Sequence, residues 1–299
     1  MSRITRWRQI CGAAAIAMGI AGTAPAWAAD GPNTGKISLN GGFDFVTAYV
    51  FRGIMQERDG LIWQPYLTVN MNLYSVDSKE YDLHRDGPIS NVSLFAGTWN
   101  SLQSAQTGGT DENNPVFYET DWYGGVNFGL FNKGTAGFSY VAYTSPSDAF
   151  ATTQEFDMNL SLDDSDWLGK FALYPSAVFA YELDGTALGE KSGSYFQFGI
   201  RPTWEAIKSD TYPVTLALPI VTGISLDNYY ETNGHNDQTW GFTSFGLAGS
   251  VPLAFIPAEY GTWAATASAT MYTFNTNLQN INKGNDPWVV GQAGVTVTY

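Results

Sequence analysis

The sequence contains a single cysteine, Cys11, among 299 residues. Disulfide frameworks, cysteine metal sites and thiol catalysis all need thiols in the mature protein. Cys11 lies inside a segment that has the pattern of an export signal, so we expect the mature chain to have no thiol. We accordingly predict no metal centre, no cofactor and no catalytic cysteine.

The sequence also has no run of the ~20 apolar residues that a helix needs to cross a bilayer. A shorter apolar stretch, from Ile10 to about Ala24, follows three arginines and ends at the small-x-small pattern Ala26-Trp27-Ala28. This arrangement is typical of a secretory signal peptide. We predict a signal peptide over residues 1–28, cleaved near Ala28, and a single domain over residues 29–299 without a membrane helix.

Basic residues are scarce, with 14 Lys and Arg against 28 Asp and Glu. Loss of the predicted signal peptide would remove three arginines and leave 11 basic residues against 28 acidic ones, a net charge of −17. So acidic a chain argues against nucleic acid as a partner and favours cations. Charged residues make up only 14% of the chain and aromatic residues 15%. Aromatic girdles and a lipid-facing band would account for both values.

The chain has instead an alternation with a period of two residues. From Val289 to Tyr299 the odd positions are apolar or small and the even positions are polar or small, apart from Val290. This pattern predicts a β-strand with one face in an apolar medium. An edge strand of a soluble sandwich would also fit this segment alone. Residues 63–73 alternate in the same way, and aromatic residues bracket their aliphatic centre, as expected at two membrane interfaces.

The alternation recurs along the chain and gives about twelve strands, the seventh of which is predicted to begin at Phe171. We therefore predict an all-β fold, an antiparallel transmembrane β-barrel of about twelve strands with both termini in the periplasm. Most connections on the outer side are then long. The connection over residues 75–88 is too long for an ordinary periplasmic turn.

The direction of the alternation predicts which charged residues line the lumen. Those assigned to it are Asp44, Arg52, Glu119, Asp121, Glu155, Asp157, Glu182 and Arg201. With Lys36 and Lys170 the inward set holds six acids and four bases, which favours a mild preference for cations. The alternative is a salt-bridge network that fills the barrel, since unpaired charges in a narrow lumen are costly. Twelve strands allow either a narrow pore or a plugged interior.

A catalytic constellation is not evident, and we predict that the protein is not an enzyme. The chain has two histidines, His84 in the long 75–88 connection and His235 in an outer loop. Neither lies on a strand beside a nucleophile, as a barrel-borne hydrolase would require. Residues 111–114 and 227–237 carry oxygen ligands for a weak Ca²⁺ site, but their spacing is irregular and a solvated loop is the simpler interpretation.

The segment from Phe45 to Tyr66 resembles the opening hairpin of the TorF-type porins, a poorly characterised outer-membrane family. The resemblance depends on Tyr49-Val50-Phe51-Arg52-Gly53, Gln56, Asp59-Gly60 and Gln64-Pro65, whereas Met55 and Glu57-Arg58 fit less well. It implies a porin-like barrel without an established substrate and draws attention to Arg52. Independently, the alternation places Arg52 inward at the outer end of the first strand, where it could pair with Asp44 or constrict the mouth.

The sequence thus predicts a porin-like channel in the outer membrane of a Gram-negative bacterium, for passive, mildly cation-preferring diffusion of small hydrophilic solutes. The alternative is a non-conducting barrel with a role in adhesion or envelope structure. The expected partners are outer-membrane lipid, lipopolysaccharide, the solutes, and the barrel-assembly machinery through the strand ending at Tyr299. An envelope hydrolase would instead need an activity that depends on His84 or His235.

Overall fold

The computed structural model describes residue 33 and residues 35–77, 80–105, 116–184, 188, 191–232, 237–284 and 286–299. The predicted signal peptide, the acidic stretch 111–114 and His235 lie outside the described residues. No helix in the described ranges is long and apolar enough to cross a membrane.

The secondary structure is almost entirely β. The strands are β1 (Ile37–Val46), β2 (Tyr49–Phe51), β3 (Ile54–Glu57), β4 (Ile62–Ser75), β5 (Ile89–Gln103), β6 (Phe117–Leu130), β7 (Gly134–Thr144), β8 (Thr153–Leu162), β9 (Ser176–Asp184), β10 (Ser194–Ile200), β11 (Thr203–Ile207), β12 (Val214–Ala217), β13 (Ile220–Asp227), β14 (Trp240–Pro252), β15 (Thr262–Phe274) and β16 (Trp288–Thr298). The short helices are α1 (Leu83–Asp86), α2 (Ser165–Leu168) and α3 (Thr276–Ile281), with 3-10 turns at Gly169–Phe171 and Ala258–Tyr260.

All strands except β2 and β3 belong to one antiparallel sheet that closes on itself. Closure is made by β1 and β16, with Gly41 opposite Val297. Two crossings of the wall are interrupted, one between β10 and β11 at Pro202 and one between β12 and β13 at Pro219. Proline has no N–H for the ladder, so each interruption divides one crossing into two strands. The result is a closed barrel of twelve antiparallel strands, as the sequence predicts.

The outer surface of the barrel is apolar. Along β4, Trp63, Leu67 and Val69 are exposed, whereas Gln64 between them is buried. Val289 on β16 is 60% exposed, so the odd positions of that strand face outward. A continuous apolar exterior of this kind is unfavourable in water and is the surface that a lipid bilayer requires.

Two connections at the end of the barrel that carries the chain termini contain a short α-helix. Residues 76–88 contain α1, which is capped by the Asp82 side chain accepting from the His84 N–H at 2.8 Å, and His84 is exposed there. The prediction that the seventh strand begins at Phe171 is wrong, because β9 begins at Ser176. The Asp164 carboxylate accepts hydrogen bonds from the backbone N–H groups of Leu173 and Tyr174, both at 3.0 Å, and keeps this segment in a turn.

The apolar exterior predicts that a charge destabilises the outward face of β4 more than its inward face. We expect Val69→Arg to lower the free energy of unfolding in lipid vesicles by roughly 2–4 kcal/mol, because the charge would lie among acyl chains. Asn70→Arg, one residue along on the other face, is the control and should cost much less. Tryptophan fluorescence during denaturant unfolding measures both, and equal losses would contradict a lipid-facing β4.

Candidate functional site: an inserted hairpin at one end of the barrel

Strands β2 and β3 form a separate two-stranded hairpin in the connection between β1 and β4. Phe51 pairs with Ile54, and the turn consists of Arg52 and Gly53 with φ of 45° and 85°. A side chain at Gly53 would be strained, because φ is positive and its Cβ would lie 2.9 Å from Leu278 Cδ1. Arg52 is held in a backbone conformation that non-glycine residues rarely adopt, which is typical of functional sites.

The position of Arg52 corrects one prediction. Arg52 does not lie at the outer end of the first strand, because β1 ends at Val46 and the chain then leaves the wall. The loosened alternation in the sequence from residue 47 onward belongs to the hairpin. The two strands of the hairpin have the same two-residue period as the strands of the wall.

The hairpin fills the barrel at the end opposite the chain termini. Its strands contribute side chains to two separate groups of buried, mostly aromatic residues that lie on opposite sides of the wall. One group consists of Tyr49, Phe51, Ile62, Phe95, Trp99, Tyr118, Tyr123, Val141, Tyr143 and Phe150. The other consists of Ile54, Ala180, Leu188, Tyr195, Tyr229, Tyr230, Phe242, Phe274 and Leu278. The hairpin is therefore the shared core of both groups and obstructs the lumen at this level.

The Arg52 guanidinium lies at the centre of this obstruction. It donates two hydrogen bonds to Glu155 on β8, from Nη1 to Oε2 at 2.8 Å and from Nη2 to Oε1 at 2.7 Å. A second carboxylate, Asp157 Oδ1, lies 3.7 Å from Nη2. Nη1 also donates to the Tyr229 hydroxyl at 3.0 Å, and the guanidinium carbon lies 4.4 Å from the centre of the Tyr195 ring. Arg52 thus pairs with Glu155 and Asp157, not with Asp44.

The buried environment determines the charge states of Arg52 and Tyr229. Burial alone would lower the pKa of Arg52, but the charge and hydrogen bond of Glu155 together with the Tyr229 and Tyr143 phenols outweigh it, and the pKa is raised well above its ordinary value. Burial raises the pKa of the Tyr229 phenol well above its ordinary value, against the opposing charge of Arg52. Arg52 is therefore a permanent cation and Tyr229 a neutral phenol, and the bidentate pair is a strong, charge-assisted contact.

The backbone of the turn is held from the other side by the connection between β15 and β16. The Asn282 side chain donates to the Gly53 carbonyl and accepts from the Met55 N–H, both at 2.9 Å. The Tyr230 hydroxyl donates to the Arg52 carbonyl at 2.9 Å. Leu278 on α3 is completely buried against the hairpin. The sequence analysis missed α3, although its N-cap Asn275, followed by Leu278 and Ile281 at helical spacing, is a usable signal.

Five of the predicted lumen residues are buried at the same end of the barrel. They are Glu119, Asp121, Glu155, Asp157 and Glu182, all at most 5% exposed. Glu119 and Asp121 lie near Tyr49 of the hairpin, whose pKa is raised well above its ordinary value by burial first and then by their charges. Glu182 accepts a hydrogen bond from the Gly193 N–H at 2.6 Å.

The two remaining predicted residues have different surroundings. Asp44 on β1 is partly exposed and hydrogen bonded to the Gln292 side chain on β16. Arg201 is exposed at the interruption between β10 and β11, closer to the end with the chain termini. The structure therefore brings together Arg52, Glu155 and Asp157 and leaves Asp44 and Arg201 apart from them.

Inward-facing positions below the hairpin are polar and only partly buried. They include Tyr66, Asn70, Asn127 and Asn159, all of intermediate exposure. The Thr68 and Tyr123 hydroxyls hydrogen bond across β4 and β6 at 2.6 Å. The interior thus changes from a packed aromatic core at the hairpin to an amide-rich, partly exposed surface toward the chain termini.

No protein-family model matches the chain, and no curated protein sequence matches it. Among solved structures, an outer-membrane channel from Pseudomonas putida F1 is similar over 90% of this chain and 97% of its own, with 9% identity and a TM-score of 0.45. The NanC porin covers 87% and 98% at 12% identity and a TM-score of 0.40. The translocator domain of the autotransporter NalP from Neisseria meningitidis covers 89% and 89% at 12% identity and a TM-score of 0.39.

Likeness at this level assigns no function, and the similarity of residues 45–66 to the TorF-type porins stays a resemblance. The fold and the site themselves define the class as a closed, transmembrane-type β-barrel. The interior of this chain is shaped by the hairpin held at one end by Arg52.

The contacts of Arg52 predict a large loss of stability when one partner of the Arg52–Glu155 pair is removed. We expect Arg52→Met to lower the free energy of unfolding by about 3–5 kcal/mol, because it leaves buried carboxylates without their cation. Adding Glu155→Gln should recover part of this loss.

Release of the hairpin can be followed by tryptic cleavage after Arg58, which should accelerate in Arg52→Met. Arg85→Met removes an exposed ion pair with Asp86 and serves as the control, with no measurable change expected. An Arg52→Met variant as stable and as protease-resistant as the wild type would contradict a structural role of the pair.

Proposed function

We propose that the protein is an outer-membrane channel of a Gram-negative bacterium for small hydrophilic solutes, with its lumen obstructed at one end by the hairpin. The observation that carries the proposal is the contrast within the interior. Polar, partly exposed side chains such as Asn127 and Asn159 line one half, whereas the other half is obstructed by the hairpin and the buried side chains that pack around it. A polar, partly exposed lining is the surface that a channel for hydrophilic solutes requires.

The hairpin is not hydrogen bonded into the sheet of the wall. β2 and β3 form no ladder with any wall strand, and Val46 lies directly opposite Ile62 where β1 and β4 leave the sheet. The two wall strands could therefore be joined by a short turn without loss of a crossing. Passage would then depend on displacement of residues 47–61 or on narrow gaps beside them.

In the proposed orientation the chain termini face the periplasm and the hairpin end faces outward. The very short connection at residues 131–133 supports this arrangement, because periplasmic turns of such barrels are short. The lipid-facing surface would be surrounded by outer-membrane lipid and lipopolysaccharide, and β16 would be presented to the barrel-assembly machinery. A mild cation preference is part of the same proposal.

A non-conducting barrel with a role in adhesion or envelope structure is the second candidate, and the packing of the hairpin favours it. Two groups of buried residues and a bidentate buried ion pair hold the obstruction in place. The two candidates make different predictions about electrical conductance.

Conductance in a planar bilayer tests the proposal directly. We expect small or infrequent current steps from the wild type, and a many-fold larger conductance when residues 47–61 are replaced by a four-residue Gly/Asn turn. Shortening residues 76–88 in the same way is the control, because that connection lies at the opposite end, and should leave the conductance unchanged. A folded hairpin-deleted barrel that passes no current would refute the channel function and leave the structural role.

A further inference from the structure

We infer that Asp44 is the point in the lumen that recognises cations, and that it binds a singly charged group such as the ammonium of a small solute directly below the hairpin. This inference rests on the proposed channel function and names the residue that sets its charge preference. The sequence count of six inward acids attributes that preference to all of them together, and the structure separates one from the other five.

Asp44 differs from the other five acids in its exposure to the lumen. Glu119, Asp121, Glu155, Asp157 and Glu182 are at most 5% exposed, so a solute in the lumen does not reach them. Asp44 is partly exposed, and within the described ranges no basic side chain forms an ion pair with it. Its described partner is the neutral Gln292 side chain. The Asp44 carboxylate is therefore accessible from the lumen and, among the described residues, is not neutralised by a neighbouring cation.

The position of Asp44 coincides with the boundary between the packed and the water-accessible interior. On β4 its register partner Gln64 is 7% exposed, whereas Tyr66, two residues closer to the chain termini, is only partly buried. On β16 its register partner is Gly294, where any Cβ would collide with Asp44 Oδ1. The missing side chain leaves room for the carboxylate on the wall at the foot of the hairpin.

The chemistry of the surroundings selects a singly charged ligand. A divalent cation such as Ca²⁺ takes six to eight oxygen ligands, usually with several carboxylates. Asp44 supplies one carboxylate, next to the Gln292 amide and close to the Tyr66 phenol. This set can accept hydrogen bonds from an ammonium group and leaves its hydration largely intact, which suits passage better than tight binding.

Arg201 is the exposed opposing charge among the predicted lumen residues. It lies on the crossing formed by β10 and β11, which is five crossings away from β1 around the wall and closer to the chain termini. Asp44, three residues before the chain leaves the wall, is therefore the accessible charge at the level of the hairpin.

Thiol labelling tests the inference without depending on conductance. Replacing Cys11 by serine and introducing Ser268→Cys gives one thiol, near Gln292, whose Oε1 lies 3.5 Å from Ser268 Oγ. The probes are a trimethylammonium-ethyl and a sulfonatoethyl methanethiosulfonate. We expect the cationic reagent to react several-fold faster, and Asp44→Asn to bring the ratio close to one. Asp166→Asn, which removes an equal charge from exposed α2, should leave the ratio unchanged.

Three results would overturn the assignment: equal rates with Asp44 present, a ratio unaffected by Asp44→Asn, or no labelling of folded protein by either reagent. In the bilayer, Asp44→Asn in the hairpin-deleted barrel should shift the reversal potential in a KCl gradient toward zero. Absence of current from every variant would defeat the channel function, while the labelling ratio would still decide whether Asp44 recognises cations. The two failures are thus distinguishable.

Discussion

The bidentate pair between Arg52 and Glu155 is the contact on which the rest of the interior depends. A guanidinium enclosed by aromatic rings is costly unless its charge and its N–H groups find partners. Glu155 and Tyr229 accept three hydrogen bonds from it, and the Asp157 carboxyl lies 3.7 Å away. The pair holds the turn of the hairpin against β8, while Asn282 holds the same turn from the opposite wall. A two-stranded hairpin alone is marginally stable, so its place in the barrel is determined by these contacts.

This arrangement divides the interior into two regions with different physical properties. Near the hairpin, buried carboxylates and aromatic rings form a packed core similar to that of a soluble domain. Toward the chain termini, amides and hydroxyls remain in contact with water. The charges that hold the obstruction in place are therefore not the charges that a solute would encounter. A count of inward-facing acids treats both kinds of charge alike. Only the charges that a solute can reach influence its passage.

The sequence predicts the wall well, because lipid on one side and polar groups on the other impose a period of two on every crossing. It predicts the number of crossings and the outward direction of residues such as Val289. It does not predict the hairpin, because Tyr49, Phe51 and Ile54 face a core that is apolar like lipid, so their period does not reveal on which side of the wall they lie. The partner of Arg52 was also unpredictable, because Glu155 is 103 residues away in sequence and the path of the hairpin alone brings the two together.

The same ambiguity explains why charge alone could not identify the solute-facing residue. Asp44 and Glu155 both follow the inward alternation of their strands, and nothing local in the sequence separates them. What distinguishes them is the path of the chain after Val46, which places the hairpin over Glu155 and leaves Asp44 at its foot. Because Gly294 leaves space beside Asp44, the seam of the barrel at β1 and β16 also contributes to the lumen surface. The contacts that close the barrel and those that would select a solute thus share one strand pair.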